Sequence, residues 1–540
     1  MSGSVRTGIS IQDVSRSAHV HIGSNQMAQK DLRWSGMLQQ MTPSLTVLSK
    51  DQRQIIINTA FEILERTGNR VGSKEALELF QKAGCRIEPL DDEGMKVFFP
   101  QHLIEECLRL SPKRMLLYNR KGEPTLYCEG RNSYFSPTSA CPKMWDPYTG
   151  QRRAWTKADI GNASMITDAL PNLDAMFALG SLADDYGFDT FVHEVHAMMI
   201  NTSKPIIYLS NEVADTKAIC EMAAVIAGGW DELRRRPFIL QYDEVLSPLK
   251  HKNHAIDKFM YLAGEGLPVR YGAFTMSGAS SPVTLPGATA QSIAEALVGL
   301  MAVQLKRAGT PYMMAILPGI MDLKFGVLAS GGPEYHLFHA MYTECVHELG
   351  LPVMATAGIS DSKVVDAQAG AESLFSYLCA ALAGCHINIG AGSLESHLIG
   401  SFEHLVFCNE AISAVRRFMK GAPISNQSLA MEVIQEVGDN LPNAIFVDRE
   451  HTTKTYLQEQ WQPGLWSRNN FASWTTKGSK YCHQVCNDHV RQILENYKPE
   501  PLPEKVLAQL EEIAQAATNP ETLSVSRTAQ GTRRRKFRAA

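Results

Sequence analysis

One spacing constrains this chain more than any other feature. Short apolar runs, four of them opening on proline, recur along its middle: DAMFALG from Asp174, IIYLS from Ile206, PFILQYD from Pro237, PVRYGAF from Pro268, PYMMAIL from Pro311, PVMATAG from Pro352 and CHINIGAG from Cys385. By subtraction, their starts lie 32, 31, 31, 43, 41 and 33 residues apart. Helix-length segments such as TFVHEVHAMMINT, DTKAICEMAAVIAG and QSIAEALVGLMAVQLKRAG fill the intervals. Strand then helix, seven times over, builds a parallel sheet with helical crossovers. A doubly wound sheet and a closed barrel both satisfy that pattern. No GxGxxG follows the first strand and no GxxxxGK[ST] occurs anywhere, which favours a (β/α)8 barrel. The eighth strand is expected either before Asp174, around NSYFSP, or after the helix that ends near Met419.

The flanks read differently. Residues 1–45 are polar without periodicity and are expected to be a disordered arm. Residues 46–130 hold a helical extension: QRQIIINTAFEILERTG stops at Gly68, SKEALELFQKAG is capped by Ser73, and FFPQHLIEECLRLSP follows. Short strands, RMLLYNR and PTLYCEG, come next. The barrel is assigned to 131–500, and 501–540 to a last helix and the basic tail TRRRKFRAA, read as solvated.

Composition removes several functions. A net charge of −4 argues against a nucleic-acid binder. No run of 18 apolar residues indicates a membrane span, and the N-terminus lacks the apolar core of a signal peptide. Eleven cysteines, odd in number and set inside apolar runs, suit reduced thiols in a cytoplasm. Cys482, Cys486 and His489 share a helical face, but no fourth ligand accompanies them, so no metal site is assigned. His193 and His196 in VHEVH stand three apart rather than four, which is wrong for a zinc protease helix.

In a barrel the chemistry gathers at the C-terminal ends of the strands. Four long loops would converge there: 271–287, 315–326, 356–368 and 388–400, with smaller contributions from QYDEVLSP (241–248) and SNEV (210–213). Phe274, Met276, Tyr312, Met321 and Phe325 are candidates for an apolar wall, although barrel core is the plainer reading of aromatics. Asp322, Asp361, Asp366 and Glu395 are the candidate negative charges, with Asp366 placed as the N-cap of the following helix. NIGAGS, containing Gly390, Gly392 and Ser393, is also the kind of segment that cradles phosphate, which keeps a phosphate-binding lyase or aldolase as the competing enzyme class. A non-catalytic amine-binding protein is the third reading.

The ordered set SPVTLPGATA, ASGGPE, LPV with GISDSKVVDAQAGAES, and SLESHLIGSFEHLVF, preceded by a helix ending in ILERTG, resembles the trimethylamine methyltransferase family from about Asp51 to Leu494. The resemblance implies a (β/α)8 barrel and transfer of a methyl group from a methylated amine to the cobalt of a separate corrinoid protein. Trimethylamine members carry pyrrolysine at the mouth, in the region of Thr356 to Lys363. This chain has only standard residues there, so it is similar to the non-pyrrolysine branch that demethylates quaternary amines such as glycine betaine. Ser360, Asp361 and Lys363 are then expected at the reacting centre, with Phe274, Tyr312, Asp322, Phe325, Gln368 and Glu372 around the substrate. Gly390, Gly392, Ser393 and Glu395 are expected to face the corrin. No DxHxxG cobalamin motif is present, so the cofactor is expected on the partner. Expected partners are a corrinoid protein, a small quaternary amine and further copies of the chain, with no nucleic acid and no membrane.

Overall fold

Six of the seven apolar runs form strands of one sheet, and NSYFSP supplies a seventh. In the computed structural model, which describes residues 43–91, 94–184, 190–442 and 444–517, these are β1 Tyr134–Pro137, β2 Ile206–Tyr208, β3 Ile239–Gln241, β4 Val269–Ser277, β5 Tyr312–Asp322, β6 Val353–Thr356 and β7 Ile387–Ala391. Their order is β1-β7-β6-β5-β4-β3-β2, and every one of these pairings is parallel. DAMFALG, expected as a strand, makes only isolated bridges, Met176 with Ile206 and, at its last residue, Gly180 with Cys141. It still lies between the two outer strands. Asp174 N donates to Phe135 O (2.7 Å) and Leu179 N to Thr138 O (2.8 Å) on one side; Met176 N donates to Pro205 O and Ile207 N to Met176 O (both 2.8 Å) on the other. The result is an α/β fold whose parallel strands curve through at least half a barrel. The polar arm over 1–42 and the basic tail after Ala517 lie outside the described residues.

Alternation along each strand sorts its side chains into two cores. Tyr271, Tyr312, Met314 and Ile316 face the surrounding helices, in one continuous layer with α4 (Leu285–Lys306) and its neighbours. Ile207, Leu240, Met313, Ala315, Met354 and Ile387 face the other way, into a separate inner cluster. Fully burying one such aliphatic side chain contributes roughly 1.5–3 kcal/mol, so a one-residue slip of any strand would be expensive. The hairpin Met115–Tyr118 with Pro124–Cys128 sends Met115, Leu117, Leu126 and Cys128 into this inner cluster. It bonds to the residues before the strands, Tyr118 N to Pro237 O (2.9 Å) and Arg120 N to Ser203 O (2.8 Å), and so closes the floor.

The crossover helices are α1 Thr190–Asn201, α2 Val213–Ala227, α3 Asn253–Glu265, α4, α5 Pro333–Glu348, α6 Ala367–Ala383 and α7 Phe402–Met419. Among the described residues α4 is the one helix long and apolar enough to cross a bilayer, and 94% of its apolar window is buried inside the protein. It is apolar all round because strands cover one side and the N-terminal helices the other. α6 begins where the Asp366 carboxylate accepts from Ala369 N (2.9 Å) and ends at Gly384, whose φ of 80° only glycine adopts without strain. The helix Cys482–Asn496 packs on α7, and Glu504–Ala517 on α1 and α2.

Candidate active site

A cavity of about 1180 Å³ opens at the C-terminal ends of the strands. It collects side chains from eight stretches of the sequence, Thr138 and Leu209 among them. β4 contributes Phe274 and Met276 from alternate positions of one face; the chain after β3 contributes Tyr242 and Glu244 in the same way. Phe177, Leu317 and Ile389 complete the apolar wall. Asp322, Phe325 and Leu328 come from the hairpin after β5, Asp361 and Lys363 from the loop after β6, and Glu395 and His397 from the loop after β7.

The β3 side carries the most unusual electrostatics. Tyr242 Oη donates a hydrogen bond to Glu244 Oε1, and the tyrosine ring lies against Phe177, centroids 5.3 Å apart. Arg270, inside the sheet and fully buried, stacks its guanidinium 3.6 Å from the centroid of that ring while its Nη1 donates to Asp243 O (2.5 Å). Asp243 itself is paired with buried Lys258 (2.5 Å), whose ammonium also donates to Ser210 O. Burial pushes the Glu244 carboxyl above the usual range, and the Arg270 charge and Tyr242 hydroxyl pull it back part of the way. Glu244 is thus a half-buried acid at an aromatic wall, a combination suited, when ionised, to a cation without hydrogen-bond donors.

The loop after β6 is built differently. Asp361 accepts from Ser330 N (2.9 Å), Gly331 N (3.0 Å) and Ser396 Oγ (2.5 Å), so its oxygens are engaged in joining three loops. Glu372 accepts from Ser360 Oγ (2.6 Å), Asp361 N (2.8 Å) and Gln368 Nε2 (2.8 Å). Gly331 passes so close that a Cβ there would sit 2.3 Å from Glu372 Cδ. Lys363 is exposed; its ammonium donates to Asp361 O (2.8 Å) and its carbonyl accepts from Trp145 Nε1 (2.8 Å).

The structure therefore brings Phe274, Asp322, Phe325, Asp361, Lys363 and Glu395 to the cavity, and sets Ser360, Gln368 and Glu372 behind it as hydrogen-bonding supports. Tyr312 is not at the cavity: it faces the helices, and its hydroxyl donates to Ala296 O (2.6 Å) on α4. Gly390 and Gly392 point into protein; a Cβ would meet Ala357 O at 2.4 Å in the first case and Leu179 and Leu405 at 2.8 Å in the second. Ser393 is fully buried, near Cys141 Sγ. Asp322 caps its own turn, accepting from Lys324 N and Phe325 N.

Sequence reasoning placed QYDEVLSP and the loop 388–400 at the mouth without singling out Tyr242, Glu244 or His397, and it did not bring Phe177 or Thr138 there. The signal available was an acidic, aromatic tetrad ending a strand. Glu395, Ser396 and His397 hold φ of 48°, 50° and 76°, three successive left-handed residues without glycine. Ser362 O and Ser360 O accept from the first two amides (2.8 and 3.1 Å), so the loop after β6 enforces the strain. Burial lowers His397 to about 4, which keeps its ring neutral with Nδ1 3.2 Å from Thr138 Oγ1. Elsewhere, His193 lies 3.3 Å from Lys157 Nζ and His196 3.3 Å from Glu511, both on α1. Among the described residues no group of three or more His, Cys, Asp or Glu could hold a metal ion.

Comparison with known proteins adds the lineage. The trimethylamine methyltransferase (MTTB) family model matches residues 15–519. The chain is 31% identical over 471 residues to a trimethylamine methyltransferase of Desulfitobacterium hafniense strain DSM 10664 / DCB-2, covering 87% of this chain and 94% of that protein. It is 28% identical over 476 residues to a glycine betaine methyltransferase of Desulfitobacterium hafniense strain Y51, covering 87% and 97%. Among solved structures, the monomethylamine methyltransferase of Methanosarcina barkeri superposes with a TM-score of 0.51 at 9% identity, over 90% of this chain and 97% of that one, which speaks for the fold. On the family match and this near-complete coverage, the chain belongs to the trimethylamine methyltransferase family.

Proposed function

We propose that this protein moves a methyl group from a small quaternary amine to the Co(I) of a corrinoid carried by a separate protein. The observation that carries the reading is the wall made by Phe177, Tyr242 and Phe274 with the half-buried acid Glu244 beside them. A quaternary nitrogen has neither proton nor lone pair, so the enzyme needs no base; it must hold the cation, exclude water and align one N–CH3 bond with the acceptor. Aromatic faces supply roughly 0.5–2 kcal/mol each toward that cation. The corrin, when docked, supplies the nucleophile. The open mouth fits such a partner: Val283, Leu323, Phe325, Val327, Val364 and Leu398 are exposed apolar side chains on its surrounding loops. In this reading the exposed Lys363 pairs with the carboxylate of a betaine. The reading also takes 174–180 as the eighth stave, which would close the sheet into a (β/α)8 barrel, and sets the protein in the cytoplasm.

Incubation with Co(I) cobalamin and a panel of glycine betaine, proline betaine, carnitine, choline and trimethylamine tests the reading. Methylcobalamin and a demethylated product are expected from at least one quaternary amine. Turnover of trimethylamine alone overturns it, as does silence across the panel from folded protein with its own corrinoid partner. Purified protein should show no corrinoid absorbance, because the cofactor belongs to that partner.

A further inference from the structure

Ten of the 26 large apolar side chains exposed among the described residues fall within 422–478, little more than a tenth of the chain. The segment leaves the fold after α7 and returns as the helix Cys482–Asn496. It forms four short helices, Asn426–Leu429, Met431–Asp439, Glu450–Glu459 and Phe471–Thr476, in which Val437 is the one buried residue. Met431, Ile434 and Val437 recur at three-residue steps, yet the first two are 65% and 48% exposed. A nine-residue helix does not hold itself together in water; it forms because something covers its apolar face.

The root of the segment is fixed. Trp461 Nε1 donates to Ser413 Oγ (3.0 Å), Gly464 N to Glu410 Oε1 (2.7 Å), and Trp466 packs on Phe407, centroids 5.9 Å apart. The exposed face is therefore presented by a seated arm. Its charges say what it meets. Residues 421–450 hold Glu432, Glu436, Asp439, Asp448 and Glu450 against Arg449, five acids to one base, net −4; residues 451–480 hold Lys454, Arg468, Lys477 and Lys480 against Glu459, four bases to one acid, net +3. An anionic membrane would select a basic amphipathic helix, and the amphipathic helix here is acidic. A two-fold axis, by contrast, lays the acidic half of one arm on the basic half of another. The exposed apolar surface of the ten side chains, on the order of 1,000 Å² per copy, suffices for an interface needing about 800 Å² per partner.

We propose that residues 422–478 are a self-association arm, and that its partner is the same segment of a second copy of this chain. Sedimentation velocity on the full chain at micromolar concentration is expected to show a dimer or a larger assembly built from it. The triple variant Met431→Glu, Val447→Glu, Phe471→Ser is expected to sediment as a monomer with an unchanged far-UV circular dichroism spectrum. The milder pair Glu432→Lys, Asp439→Lys should weaken association about tenfold, and mixing it with Arg468→Glu, Lys477→Glu should restore it. A monomeric wild-type chain overturns the proposal. So does a triple variant that keeps the wild-type assembly, or a charge-reversed pair that mixing does not rescue. An arm that binds anionic vesicles or the corrinoid protein while the chain stays monomeric assigns the surface to that other occupant instead.

Discussion

The two sides of the mouth are opposites. On the β6 side, GISDSKVVDAQAGAES is the most recognisable stretch of the chain, and its carboxylates are consumed internally: Asp361 ties three loops and Glu372 ties its own. On the β3 side, QYDEV carries no motif, yet it presents Tyr242 and half-buried Glu244 to the cavity, with Arg270 stacked on the tyrosine. The lesson is that a signature can mark what must be rigid, while the acid proposed to meet substrate stands on a plain strand end. Scaffold and function can be exchanged in appearance.

Substitution separates the two roles. The largest effect is expected from Glu244→Gln, which removes the charge opposite the cation and should lower kcat/KM for a quaternary amine about 100-fold. The carboxyl is held above its ordinary range by burial, so the folded chain binds more protons there than the unfolded chain as pH rises past the ordinary value. Its contribution to stability is present at low pH and lost on rising through the folded value, so Glu244→Gln should melt no lower than wild type at neutral pH. Activity runs the other way: wild-type kcat/KM should fall on acidification, beginning above the ordinary glutamate range, and the variant should lack that limb. A variant with near-normal turnover would erase the contrast between the sides.

Next in size, Asp361→Asn should destabilise by roughly 2–3 kcal/mol, since it weakens hydrogen bonds from two backbone amides and a hydroxyl. Turnover per folded molecule should hold within a few fold, measured well below the lowered melting temperature. A collapse of turnover with stability intact would move Asp361 into the reacting centre. Phe274→Leu should weaken amine binding about fivefold through loss of one cation–π face, read by calorimetry. The smallest effect is expected from Lys363→Ala, about threefold in KM and confined to carboxylated substrates, because the ammonium is solvated. Equal loss on choline would remove the carboxylate role.

Most of the sheet was legible because each β/α unit writes its own period, and the register of β4 against β5 over nine residue pairs, Val269–Tyr312 to Ser277–Ile320, follows from it. The site was less so, for two physical reasons. Side-chain direction reverses at every residue of a strand, and a strand's sequence does not say which phase faces the pocket: Tyr312 faces the helices, while Met313 and Ala315 have the inward phase. Hydrogen-bond partners are set by closure in space: nothing in SDSK announces that Ser330, Gly331 and Ser396 will satisfy Asp361. Asp366 was legible as a cap because its partner lies three residues away. DAMFALG misled because its bridges are too sparse for a regular strand.

The stoppered floor has a kinetic meaning. With the hairpin 115–128 filling one end of the sheet, the cavity opens at the other, and in the proposed methyl transfer amine and corrin-bearing protein share that mouth. Under the proposed reaction the donor is admitted first, the acceptor second, and the demethylated amine waits for the acceptor to depart. Turnover then belongs to a compulsory-order scheme in which excess acceptor traps product, so the rate against partner concentration should rise, pass a maximum and decline.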